Sequence, residues 1–369
     1  MKYIFKPAPN YKGEYSTPKI MTMLLVGLLL VLGFSFYNAY TMGIDVLIHV
    51  VILTVASVIT SVAIEVIYAL IIKQKPVDFL KSSFPLITSL ILVLISPVNA
   101  SVYSIIICTT GAIILGKLIF GGFGQNIFNP AGVGRAIFLV SFASASVDVV
   151  SGATPIQSLA KLGWAPSASQ FSGLVEEFGG IGNLFFGNYY GAIGETSVLV
   201  MLLVGVYLAF KRVIDYRIPV IYLSTIFICG LIIGFTNGLS VDYALFHVLT
   251  GGAVFGAIFM LTDPVTNPMT RSGKVMFALG AAFITVVIRI QGQYDEGVLF
   301  SILIMNMLTP VIDRMLLGQQ YARLHKNILA IVVIAAIGFA TVFGISTNLK
   351  NTDTAVVETN NNIVLVGGK

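Results

Sequence analysis

Cysteine and charge are both scarce in this chain of 369 residues, and each scarcity excludes a class of protein. Only two cysteines occur, Cys108 and Cys229, and both lie deep in apolar runs. No four-thiolate iron–sulfur or zinc site can be built from this chain alone, so the two read as buried small hydrophobes. Charged residues make up 10% of the chain, where an ordinary soluble domain carries roughly a quarter. With 57% hydrophobic residues, the remaining class is a polytopic membrane protein. No Gly-x-Gly-x-x-Gly sits between a strand and a helix, so a dinucleotide site is not expected here. The net charge of +5 does not indicate a nucleic-acid partner, because the basic residues are scattered between apolar runs rather than gathered on one face.

What is abundant is long apolar sequence. A membrane-spanning helix needs about 20 apolar residues, fewer where it is broken or re-entrant. Eleven helices are expected, near Ile20–Tyr40, Val46–Ile72, Phe84–Ile95, Ser101–Phe120, Gly134–Ala145, Thr196–Phe210, Ile218–Thr236, Ala244–Leu261, Val275–Ile290, Gly297–Ile312 and Asn327–Ile345. The expected fold is an all-α polytopic membrane protein of 10 to 11 spans in two pseudo-repeat halves with broken or re-entrant helices. Its parts are a basic cytoplasmic tail (1–19), a first membrane half (20–147), an extracytoplasmic loop (148–195), a second half (196–315), and a basic loop, extra helix and polar tail (316–369). With the N-terminus cytoplasmic, 17 of the 21 basic residues fall on the inside, as the positive-inside rule requires.

Three stretches interrupt the apolar pattern. Gly121-Gly-Phe-Gly-Gln-Asn-Ile-Phe-Asn-Pro-Ala131 and Leu261-Thr-Asp-Pro-Val-Thr-Asn-Pro268 combine residues that break helices with residues that pair freed backbone groups. They are read as related interruptions of the two halves, meeting at a ligand site, with Ser96-Pro97 a further half-helix end. The third, Asp148-Val-Val-Ser-Gly-Ala-Thr-Pro155, leaves the Thr154 hydroxyl sterically open beside Gly152 and Ala153, in a turn favoured by Pro155. Among ionisable residues, His49 and Glu65 lie inside the second span, whereas Asp45, Lys117, Arg135 and Arg289 are expected to reach the interface from span ends.

These stretches carry a resemblance. Asp148 to Thr154 resembles the acceptor motif for covalent FMN in the D subunit of the Rnf complex and its relative, the B subunit of the sodium-pumping NADH:quinone reductase. Leu86–Pro97, Gly121–Ala131, His247–Val265, Arg289 with Gly292–Phe300, and Met305–Asp313 look like the same Rnf protein in order and spacing. The resemblance covers roughly residues 15 to 315. It departs at Val149, where a small residue is common, at Ile127, where proline is common, and in the Asn327–Ile345 helix, additional to the family's usual ten spans.

The resemblance implies a flavoprotein subunit of a redox-driven translocase, coupling electron flow between ferredoxin and NAD to export of Na⁺ or H⁺ across the bacterial inner (cytoplasmic) membrane. It implies FMN joined to Thr154 through a phosphoester, with Asp148, Ser151, Gly152 and Ala153 completing the acceptor motif. It also implies noncovalent riboflavin towards the cytoplasmic side. The residues supplying close backbone approach and polar partners for riboflavin or an ion are Gly121, Gly122, Gly124, Asn126, Asn129, Thr262, Asp263 and Asn267. The implied partners are the other Rnf subunits (A, B, C, E and G), a flavin transferase and membrane lipid. Asn129-Pro130-Ala131 and Asn267-Pro268-Met269 also resemble the paired turns of aquaporins, and the repeat resembles urea transporters. That alternative is a passive channel without flavin.

Overall fold

The computed structural model describes residues 15–142, 154–187, 189, 191–194, 197–292, 297–316 and 324–366. Among them there is no strand, only an isolated bridge between Pro97 and Ala192, and the fold is an all-α polytopic membrane protein. Each expected apolar segment is met by helix. In the first half these are α1 (Thr17–Met42), α2 (Ile44–Ile71), α3 (Pro76–Ser83), α4 (Pro85–Leu94), α5 (Val102–Gly116) and α6 (Pro130–Ser141). Three short helices follow, α7 (Pro155–Lys161), α8 (Ala168–Glu177) and α9 (Gly180–Phe186). The second half holds α10 (Val198–Phe210), α11 (Arg217–Thr236), α12 (Val241–Leu249), α13 (Ala253–Met260), α14 (Arg271–Gln291) and α15 (Val298–Leu316), before a terminal α16 (Leu324–Val366).

Seven of these helices are long and apolar enough to cross a membrane. The pairs α3/α4 and α12/α13 are single runs broken by bends of 50° and 60°. Local chemistry causes both breaks. Pro85 disfavours helix at the residue before it, and Phe84 adopts φ 54°, ψ 53°. A bulky residue in that left-handed region costs on the order of 1–3 kcal/mol, so packing must hold it there. At the second break, Gly251 (φ 66°) and Gly252 (φ 70°) make the turn with no side chain to clash.

The halves repeat. In the first, α2 packs on α4 and α5, and α5 on α6; in the second, α11 packs on α12 and α14, and α14 on α15. Each half holds three helices long enough to cross a membrane, one broken pair and one shorter apolar helix, α6 or α10. This pattern corrects one pairing expected from sequence. The segment after α13, Asp263-Pro-Val-Thr-Asn267, corresponds by position to Ser96-Pro-Val-Asn99 after α4, whereas Gly121–Ala131 links α5 to α6. The two Gly/Pro-rich stretches are therefore not repeat mates. The apolar core runs through both halves, and α16 leans on α11 and α14 from outside, with most of its surface free.

Candidate functional site

Although not repeat mates, the two interrupted segments do meet. The Asn129 N–H donates to Asn306 Oδ1 at 3.0 Å, and Asn306 Nδ2 donates to the Thr266 carbonyl at 3.4 Å. Thr309, one turn further along α15, donates to the same carbonyl at 2.9 Å. One buried asparagine thus bonds the backbone of both segments, relieving the cost of burying irregular backbone. Asn129 itself caps α6, accepting from the N–H groups of Ala131 and Gly132. Gly134 lets α6 lie against α5, since a Cβ there would come 2.8 Å from the Cys108 carbonyl.

Where the segments meet, Asn126, Asn129, Pro130, Asp263 and Val265 share a cavity of about 40 Å³ with Ser83, Phe84, Lys117 and Phe123. That space holds a few water molecules and no tricyclic ring. It adjoins an apolar groove of about 670 Å³, lined from α1 to α4, which shares Met21, Phe84 and Ile87 with it. The Phe84 and Phe123 rings, edge to face at 5.2 Å, stand at the cavity. Of the other expected residues, Thr262 is buried and turned back onto the Ile258 carbonyl. Gly121, Gly122 and Gly124 take left-handed conformations that shape the loop, but neither they nor Thr262 and Asn267 line the cavity.

Asp263 lies in the turn that follows α13. Burial pushes its carboxyl up to about 6, against the pull of bonds accepted from the Val265 N–H (3.3 Å) and the Thr266 hydroxyl (3.1 Å).

An ion pair that sequence did not anticipate closes the cavity's inner wall. Lys117, expected at the interface, is 1% exposed and donates to Glu65 Oε1 at 2.7 Å and to the Ser83 carbonyl at 2.5 Å. It cannot reach water because its α5 terminus is enclosed by α2 and the α3/α4 break, where Ser83 ends a helix with carbonyls to satisfy. Glu65 Oε2 and the Ser83 hydroxyl have no hydrogen-bond partner among the described residues. Arg135 and Arg289, also expected at the interface, are likewise buried. Arg289 is drawn inward because it donates to the His247, Thr250 and Gly251 carbonyls, and Arg135 lines a small cavity beside Gly251 and Gly252. The signal available in sequence was polarity within apolar runs, which marks Lys117, Arg289 and Asn306.

Thr154 belongs to a different region, at the start of α7. Its Oγ1 accepts from the Gln157 N–H and its own N–H donates to Gln157 Oε1, both at 3.3 Å, a reciprocal cap. Buried Ile156 and Leu159 anchor that helix, and α12 holds the turn that follows it through the Tyr243 hydroxyl, which donates to the Trp164 carbonyl at 2.6 Å. The Thr154 side chain is half-buried and its oxygen serves as an acceptor. The hydroxyl hydrogen takes no part in the cap, so a phosphoester at this oxygen displaces no bond that the hydroxyl donates among the described residues, and the residue fits that linkage. Asp148, Ser151, Gly152 and Ala153 lie outside the described residues.

Comparison with known proteins adds the following. Residues 4–322 match the model of the NQR2, RnfD, RnfE family. The D subunit of the proton-translocating ferredoxin:NAD⁺ oxidoreductase complex of Clostridium ljungdahlii is 36% identical over 326 residues, covering 85% of this chain and 94% of that protein. The D subunit of the Na⁺-translocating ferredoxin:NAD⁺ oxidoreductase complex of Acetobacterium woodii is 35% identical, covering 83% and 91%. The D subunit of the ion-translocating oxidoreductase complex of Ectopseudomonas mendocina is 34% identical, covering 69% and 79%.

Proposed function

The chain belongs to the NQR2, RnfD, RnfE family, and from that premise we propose that it is the D-type membrane component of an Rnf-type ferredoxin:NAD⁺ oxidoreductase that exports Na⁺ or H⁺. It works in the bacterial cytoplasmic membrane with the A, B, C, E and G subunits, after a transferase has attached FMN to Thr154. A bound flavin supplies passage between paired and single electrons. This chain's residues supply position. Thr154 presents its hydroxyl oxygen from a capped turn whose helix is pinned by Ile156 and Leu159, so the linkage is fixed to the protein body.

Riboflavin is proposed for the other site, with Asn126, Asn129 and Asp263 as polar partners. The adjoining groove provides the room that the small cavity lacks. A site shared by a buried ion pair, a carboxyl and irregular backbone from both halves is also where a translocated cation would meet protein charge.

The observation that carries the covalent assignment is the Thr154 hydroxyl, held in place by a cap that does not use its hydrogen. Thr154→Ala is expected to abolish flavin fluorescence of this chain on a denaturing gel while the protein still inserts. Fluorescence undiminished in that variant would move the flavin elsewhere. A passive channel would show no such band in the unmodified protein.

A further inference from the structure

Three side chains line both the small polar cavity and the apolar groove beside it: Met21, Phe84 and Ile87. Of these, Phe84 alone carries a ring, and it alone has a left-handed backbone. A glycine would take φ 54°, ψ 53° without strain, so a phenylalanine at this point keeps its ring there against a backbone cost. Its neighbours hold the bend. The Phe84 N–H donates to the Leu80 carbonyl, and the Phe84 carbonyl accepts from the Ile87 N–H, both at 3.2 Å. The carbonyl before it, of Ser83, accepts from Lys117 Nζ at 2.5 Å. Tied on both sides, the bend fixes where the Phe84 side chain leaves the backbone.

The ring is half-buried and stands edge to face with half-buried Phe123, the planes 69° apart. Phe123 has the Lys117 ammonium 5.9 Å from its centroid and lines the cavity but not the groove. The two spaces that Phe84 joins differ in chemistry. Asn126, Asn129 and Asp263 give the cavity amide and carboxyl groups, whereas Leu25, Val62, Val77 and Leu80 give the groove hydrocarbon. A ligand spanning both must be polar at one end and apolar at the other, and must meet an aromatic ring at the join. An isoalloxazine has that form, with a hydrogen-bonding pyrimidine edge and a dimethylbenzene edge in one plane.

Resting on the riboflavin reading of this site, we infer that Phe84 seats the flavin, its ring stacking on the isoalloxazine where cavity and groove join. The pyrimidine edge then meets Asn126 and Asn129, and the dimethylbenzene edge lies along the groove. Offset or edge-on aromatic contact adds to the burial of apolar area, so the ring contributes more than an aliphatic side chain of similar bulk. Phe123 backs Phe84 as a positioning residue. Lys117 acts through the bend, since it is 1% exposed and bonded to Glu65 and Ser83.

The test is equilibrium binding of riboflavin to the purified complex after its noncovalent flavin has been stripped. Riboflavin retained on gel filtration is released by denaturation, which leaves covalent flavin on its chain, and is measured by chromatography. Phe84→Leu keeps apolar bulk without the ring and is expected to weaken binding by about tenfold. Phe84→Tyr restores the ring and should bind as the unmodified protein does. Phe84→Gly suits the left-handed backbone, so it keeps the bend while losing the ring; binding should fall at least as far as in Phe84→Leu. A side chain needed only to shape the bend would leave binding intact in Phe84→Gly, and that variant decides the matter if Phe84→Leu does not assemble. Unchanged affinity in either, with binding weakened in Asn126→Ala, would overturn the inference and leave the riboflavin reading standing. Affinity unchanged in Asn126→Ala as well, or no binding to the unmodified complex, would remove that reading and the inference with it.

Discussion

At the scale of single residues, the costs lie with groups whose partners are far away in sequence. Lys117 and Glu65 are both fully enclosed, so Lys117→Met strands a carboxylate and should destabilise the protein by about 3–5 kcal/mol. The double variant Glu65→Gln with Lys117→Met should recover most of that loss, read as the thermal midpoint of the purified complex. Equal midpoints for the single and double variants would contradict the pairing. Asp263 gives a pH signature. Its folded carboxyl is raised to about 6 by burial, so the native state holds its proton more tightly than the unfolded chain does. The stability this contributes is present at acid pH and is lost as pH rises through about 6. Asp263→Asn should remove that slope from thermal unfolding followed across the window, and an unchanged slope would mean that another group sets it.

At the scale of elements, Asn306 joins the two interrupted segments. Asn306→Ala leaves the Asn129 N–H and one bond to Thr266 unmade in a buried place, a loss of about 1–3 kcal/mol. Hydrogen exchange measured on the complex should show faster exchange in residues 126–132 and 262–268 together; faster exchange in only one would mean that they are held separately. The helices themselves were legible in sequence because apolar runs and Gly/Pro breaks are local signals. The α3/α4 bend is signalled by Pro85, and the Asn129 cap by its neighbours. The polar connections were not legible. Lys117 meets Glu65 across 52 positions, and Asn129 meets Asn306 across 177, separations that no helical period encodes. The mistaken pairing of the two Gly/Pro-rich stretches has the same origin, since similar composition stood in for equivalent position in the repeat. Position only became visible once the packing of α5 on α6 and of α14 on α15 was known.

At the scale of the whole molecule, two polar regions stand on different elements. The Thr154 turn stands on the short helices between the halves, and the Asp263 cavity lies where the second half's broken span returns to α14. The charge distribution in sequence leads us to propose that they lie on opposite faces. Single cysteines at Ser167 and Ser272, introduced after Cys108 and Cys229 are replaced, should be labelled by an impermeant reagent from outside and inside respectively. Labelling of both from one side would refute the topology.

The central claim is that this chain carries its flavin at Thr154, and peptide mapping tests it most directly. Trypsin cuts after Arg135 and Lys161, so one peptide, residues 136–161, holds Thr154 together with Ser141, Ser144, Ser146, Ser151 and Ser158 as internal competitors. Fragmentation of that peptide from the purified complex should place the mass of an FMN phosphoester on Thr154. The same mass on one of the serines, on another peptide, or on none would contradict the account.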